Sequence, residues 1–124
     1  MGRDEVMAWV AAYERTWRDN DLGGLAEGFT PDAHYLHSPY EEPLVGLDAI
    51  RADWPDPTPF TLDVEPVAVD GEVAVVRALV RYTDEAAQEY RDLWLLTFAE
   101  DGRVRVFEEW AYWPGKPWTA EQES

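Results

Sequence analysis

From Phe60 to Trp113 apolar residues recur at every second position, whereas before Phe60 they recur at the three-and-four spacing of helices. That change of period restricts the chain to folds that collect helices at one end and strands at the other. Arg3 to Arg18 carries Val6, Met7, Val10, Tyr13 and Trp17 on one helical face and ends near Asp19-Asn20-Asp21. A shorter helix is predicted over Leu22 to Phe29, interrupted by Gly23, Gly24 and Gly28 and stopped at Thr30-Pro31. Ala33 to His37 reads as a short strand, Pro39 to Gly46 as a loop, and Leu47 to Trp54 as a helix closed by Pro55. The run Pro55-Asp56-Pro57-Thr58-Pro59 is too short to separate domains. Beyond it, Phe60-Leu62-Val64, Glu72 to Thr83, Gln88 to Phe98 and Arg103 to Trp113 are predicted strands. Asp70-Gly71, Asp84-Glu85-Ala86-Ala87 and Asp101-Gly102 supply the turns of an antiparallel meander. The expected class is α+β, with three N-terminal helices covering one face of a bent antiparallel sheet.

A chain of 124 residues, 46% hydrophobic and 14% aromatic, suits one core. A single domain is expected over residues 1–118, with 119–124 a flexible tail. The formal charge of −16, with only 10 scattered Lys and Arg, argues against a nucleic-acid partner or an anionic membrane surface. The absence of cysteine excludes thiol catalysis, and two His give little from which to build a metal site. No metal or organic cofactor is expected, and no Gly-rich phosphate cradle is present. The first residues lack the apolar run of a leader or membrane span, so a cytoplasmic location is expected.

Several short motifs fall in a characteristic order: Asp21-x-x-Gly24-Leu25, Phe29-Thr30-Pro31-Asp32-Ala33, Pro39, Gly46-x-x-Ala49-Ile50, Trp94-Leu95-Leu96-Thr97-Phe98 and Asp101-Gly102-Arg103-Val104. In this the chain resembles the nuclear transport factor 2-like superfamily, in the branch of SnoaL-like polyketide cyclases and ketosteroid isomerase. The resemblance implies a cone-shaped fold whose helices and sheet enclose a pocket. It leaves the reaction open, because the superfamily hosts isomerases, dehydratases, cyclases, epoxide hydrolases and members that only bind or assemble.

The resemblance also implies positions for a site. Tyr13 falls at the place of the oxyanion tyrosine, counted from Asp21. The general-base position is His37 when counted from Asp32-Ala33 and Ser38 when counted back from Pro39. A pocket aromatic corresponds to Trp54, and the second oxyanion acid falls on Trp94, which has no carboxyl to offer. Asp92, two residues earlier, shares that strand face and can bring a carboxyl to the same cavity. Phe107 matches a cavity-lining position, while Glu109 resembles the last-strand carboxylate of limonene epoxide hydrolases. The paired Arg and Asp of those enzymes have no counterpart at Arg77-Ala78-Leu79.

The candidate catalytic set is thus His37, Tyr13, Asp92 and Glu109, within pocket walls of Trp17, Tyr35, Trp54, Trp94, Phe107 and Trp113. His37 is the first choice for proton transfer, since an unperturbed imidazole titrates at about 6.5. His34 lies on the opposite strand face and is expected at the surface. Such a set binds a hydrophobic or aromatic small molecule and suits isomerisation, cyclisation or dehydration. The alternative is a non-catalytic binding or dimeric accessory protein. Residues Ala74, Val76, Ala78 and Val80 would face the helices, leaving Val75, Arg77, Leu79 and Arg81 to pair with a second copy in a homodimer.

Overall fold

The computed structural model describes residues 1–54, 59–85 and 87–115. Helix α1, Arg3–Asp19, begins where the Glu5 carboxylate accepts the Gly2 N–H at 2.8 Å. Asp4 and Glu5 in its first turn and Arg18 in its last complement the helix dipole, and Asn20 closes it in the left-handed conformation. Its buried face is Val6, Trp9, Val10 and Tyr13, the three-and-four spacing of an amphipathic helix.

The predicted second helix is divided into a 3-10 turn, Leu22–Gly24, and a single α-helical turn, α2, Leu25–Gly28. Asp21 accepts the Gly24 N–H at 3.2 Å, and a Cβ on Gly24 would stand 2.8 Å from Asp21 Oδ2. Strand β1, Phe29–Leu36, starts four residues earlier than Ala33 and runs through Pro31. The proline is tolerated because the pairing register shifts between Phe29 and His34. Leu44–Val45, inside the expected loop, is a two-residue strand β2 against Tyr35 and His34. Gly46 then turns with φ 91°, a value that favours glycine, into α3, Leu47–Asp53.

The remaining strands are β3, Phe60–Asp70, β4, Val73–Tyr82, β5, Glu89–Phe98, and β6, Val104–Tyr112. Sheet order is β2-β1-β6-β5-β4-β3. The meander is antiparallel as predicted, but β1 lies parallel to β6, so the bent sheet is mixed. Burial on β4 alternates strictly: Ala74, Val76, Ala78 and Val80 are buried, while Val73, Arg77 and Arg81 are exposed. The inner face joins α1 in a core that includes Leu25, Phe29, Trp94, Leu96, Phe98 and Phe107. Among the described residues no helix is long and apolar enough to cross a membrane. The expected tail at 119–124 and the connector at 55–58 lie outside the described residues.

Candidate active site

Beside the end of β1, where it pairs with β6, a cavity of about 210 Å³ opens between sheet and helices. α1 contributes Tyr13 and Trp17, the β1 end contributes Tyr35 and His37, and Trp54 follows α3. Val80, Tyr82, Tyr90, Asp92, Trp94, Glu109 and Ala111 come from the sheet. All these sheet residues share one face because of the strand period and the pairing of Trp94 with Glu109 and Asp92 with Ala111. Eight of the ten sequence-derived candidates therefore border one space.

Phe107 and Trp113 do not line it. Phe107 is fully buried behind the wall, stacked on Tyr35 with ring centroids 4.6 Å apart. Its strand position points to the correct face, but Tyr35 covers it. Trp113 packs edge-on against Tyr90 at 5.6 Å and borders a separate surface depression with Glu89, Arg91 and Tyr112. His34 is exposed on the other face of β1.

The walls are a continuous aromatic assembly. Tyr13 meets Trp94 at 5.4 Å and Trp54 at 5.8 Å, both edge-on. Trp17 stacks on Phe60 at 4.0 Å. The Tyr13 and Tyr35 hydroxyls share a 3.0 Å hydrogen bond, and burial raises the pKa of both phenols. They are neutral donors across the range in which proteins work. The Trp54 indole N–H is buried without a partner among the described residues.

At one end of the cavity stands a chain of titratable groups. Asp92 is 4% exposed, its Oδ2 accepting from the Trp94 indole at 3.2 Å and its Oδ1 unpartnered among the described residues. Burial first, and the neighbouring Glu109 carboxylate second, raise its pKa, so that Asp92 carries a proton at neutrality. Burial acts on Glu109 in the same direction, but His37 and the protonated Asp92 outweigh it and hold Glu109 below its ordinary value. Glu109 Oε1 lies 4.0 Å from His37 Nδ1, and Asp53 Oδ2 lies 2.6 Å from His37 Nε2. Glu109 raises the His37 pKa, partial burial opposes it, and Asp53 adds to the rise, leaving His37 at about 9. His37 is thus an imidazolium at neutral pH. The value near neutrality expected from its type does not apply between two carboxylates.

Asp53, Tyr82 and Tyr90 belong to this site and were not among the predicted residues. The two tyrosines follow from continuing the period of Val80 and Asp92 by one step on each strand. Asp53 carries no such signal, because its contact with His37 is made by the path of α3. Among the described residues no group of three His, Asp or Glu could hold a metal ion. A wider groove of about 300 Å³ runs past Arg15, Thr16, Asp21 and Glu27, but its charged groups are exposed.

Residues 2–107 match the family described as the SnoaL-like domain. No curated protein matches the chain. Among solved structures, a steroid delta-isomerase from Pseudomonas aeruginosa is similar at 20% identity and a TM-score of 0.63, covering 91% of this chain and 83% of its own. An epoxide hydrolase/cyclase-like enzyme of pyran ring formation in the polyether salinomycin superposes at 18% identity and a TM-score of 0.68, with coverage of 86% and 88%. A Mycobacterium tuberculosis protein, crystallised with estradiol-17beta-hemisuccinate, is 11% identical with a TM-score of 0.68, over 86% of this chain and 92% of that one. At these identities the likeness concerns the fold.

Proposed function

The chain belongs to the SnoaL-like domain family, and we propose that it binds a hydrophobic or aromatic carbonyl compound and catalyses cofactor-independent proton transfer beside the carbonyl. The observation that carries this reading is the pair Asp92 and Glu109 lining one aromatic cavity, Asp92 with its pKa raised by burial and Glu109 held low beside His37. Two like carboxyls with divergent pKa values are what a site needs for an acid and a base at one pH.

Glu109 acts as the base. Its carboxylate takes a proton from the carbon next to the carbonyl, the C–H pair moves into an enolate, and the developing negative charge falls on the carbonyl oxygen. The Asp92 O–H and the Tyr13–Tyr35 hydroxyl pair are the donors for that oxygen. Return of the proton from Glu109 to another carbon gives isomerisation, and attack of the enolate on a second carbonyl gives cyclisation. Loss of a β-hydroxyl from the enolate, departing as water with the proton that Glu109 took, gives dehydration. His37, held by Asp53, keeps Glu109 ionised and is not itself the base. Steroid binding by the Mycobacterium tuberculosis relative supports the cavity as a small-molecule site.

The direct test is exchange of the α-hydrogens of 2-tetralone in deuterated buffer, followed by NMR. Exchange above the buffer rate that saturates with ketone supports the reading. Saturable binding without exchange favours the non-catalytic alternative, for which the mutual hydrogen bond of Tyr13 and Tyr35 speaks, since it already occupies one hydroxyl.

The chain is further proposed to act as a homodimer through the outer face of β4, which carries Val75, Arg77, Leu79 and Arg81, with Val73 at its start. Val73 is 44% exposed, an apolar side chain on a sheet face that no helix covers among the described residues.

A further inference from the structure

We propose that the cavity takes carbonyl compounds of one or two fused rings and excludes four-ring steroids, and that Trp54 is the residue setting this limit. The inference rests on the cavity being the ligand site and specifies what that site admits.

Three observations carry it. The free volume is about 210 Å³, whereas pockets for drug-sized ligands commonly run from about 300 to 1,000 Å³. The boundaries are bulky rings braced by other rings, so they do not yield readily. Trp17 is backed by Phe60 at 4.0 Å, and Tyr35 by Phe107 at 4.6 Å. Trp54 stands edge-on to both Tyr13 and Tyr35, at 5.8 and 6.4 Å, and extends the wall they form.

The polar groups fit a small ligand as well. Asp92 Oδ1 and Trp54 Nε1 are both buried and unpartnered among the described residues, on residues lining the same small space. A compact ligand oxygen satisfies such groups at a gain, since each is costly to leave unpaired. A hydroxyl or enol next to Glu109 and Asp92 finds an acceptor and a donor together.

The test compares two phenols: 5,6,7,8-tetrahydro-2-naphthol, which reproduces the first two rings of estradiol, and estradiol itself, which adds two further rings with their methyl group and 17β-hydroxyl. Buried area alone favours estradiol, because each additional buried methylene tightens binding by about fourfold. The proposed limit reverses that order. Equilibrium dialysis with wild-type protein is expected to show the two-ring phenol binding at least about tenfold tighter. Trp54→Ala is expected to raise estradiol affinity by about tenfold or more while changing that of the two-ring phenol less.

Estradiol binding as tightly as the two-ring phenol, or more tightly, overturns the size limit while leaving the cavity as a ligand site. Binding of neither phenol overturns both. An unchanged ratio in Trp54→Ala removes Trp54 as the determinant. Should that variant fail to show native circular dichroism, Trp54→Leu carries the same comparison, and the wild-type order stands by itself. Binding without 2-tetralone exchange refutes the proposed chemistry and leaves the size limit intact.

Discussion

His37 and Asp53, sixteen residues apart, meet at 2.6 Å through Nε2 and Oδ2, joining the end of β1 to the end of α3 at the edge of the cavity. The next residue, Trp54, is the cavity wall. One contact therefore positions the imidazolium and holds the segment that carries the wall.

The first expected outcome is a histidine that titrates late. His37 followed by NMR should show a pKa of about 9, and Asp53→Asn should lower it toward the ordinary value. Because the folded pKa lies above the unfolded one, the contribution of His37 to stability is complete below about 6.5 and is lost as pH rises through about 9. A His37 titration at the ordinary value in wild-type protein would refute the ion-pair arrangement.

Asp92 should show the matching effect in a carboxyl. Its folded pKa is raised, so its contribution is present below the usual carboxylate range and declines as pH rises toward the folded value. Asp92→Asn removes that titration while keeping a donor. Its melting temperature relative to wild type should therefore climb between pH 5 and pH 9, and a constant difference would contradict a buried, protonated Asp92.

Phe107 is expected to matter for stability rather than for ligand choice. It is fully buried and stacks on Tyr35. Phe107→Ala should cost about 3–5 kcal/mol by urea denaturation, the range for large aromatic truncations in a core. A loss below about 1 kcal/mol would mean that the wall behind Tyr35 is not packed as described.

Sedimentation equilibrium at micromolar concentration should give twice the 14.2 kDa chain mass, and Leu79→Arg should return the protein to that mass. A wild-type monomer would remove the proposed sheet-to-sheet dimer.

What the sequence makes legible is mostly what repeats. Strand period alone puts Asp92 and Trp94 on one face, and helical period puts Val6, Val10 and Tyr13 on one side of α1. Two features escape it for a physical reason. The parallel pairing of β1 with β6 joins segments from opposite ends of the chain, with no turn between them to signal it. The protonation states depend on distances that only the fold creates: an isolated His suggests a group near neutrality, whereas His37 between Asp53 and Glu109 is a cation. The acid-base assignment therefore passes from His37, the first choice on residue type, to Glu109 as a proposal. Phe107 shows the converse: its strand position faces the inner side of the sheet, but the Tyr35 ring stacks over it.

Tyr13→Phe removes one hydroxyl of the pair with Tyr35 without changing the ring. Loss of an oxyanion donor costs on the order of 10²-fold in turnover, so α-exchange of 2-tetralone should fall on that scale while binding of the two-ring phenol changes little. Equal losses in both would indicate a binding role.

The most direct test of the account compares Glu109→Gln with His37→Gln in that exchange reaction, each checked for native circular dichroism. With Glu109 as the base, Glu109→Gln should reduce exchange to the buffer rate at every pH. His37→Gln should retain exchange with its pH profile moved upward, because Glu109 loses the cation that holds its pKa down. Full exchange in Glu109→Gln, with loss of exchange in His37→Gln, would contradict the account and return the base to His37.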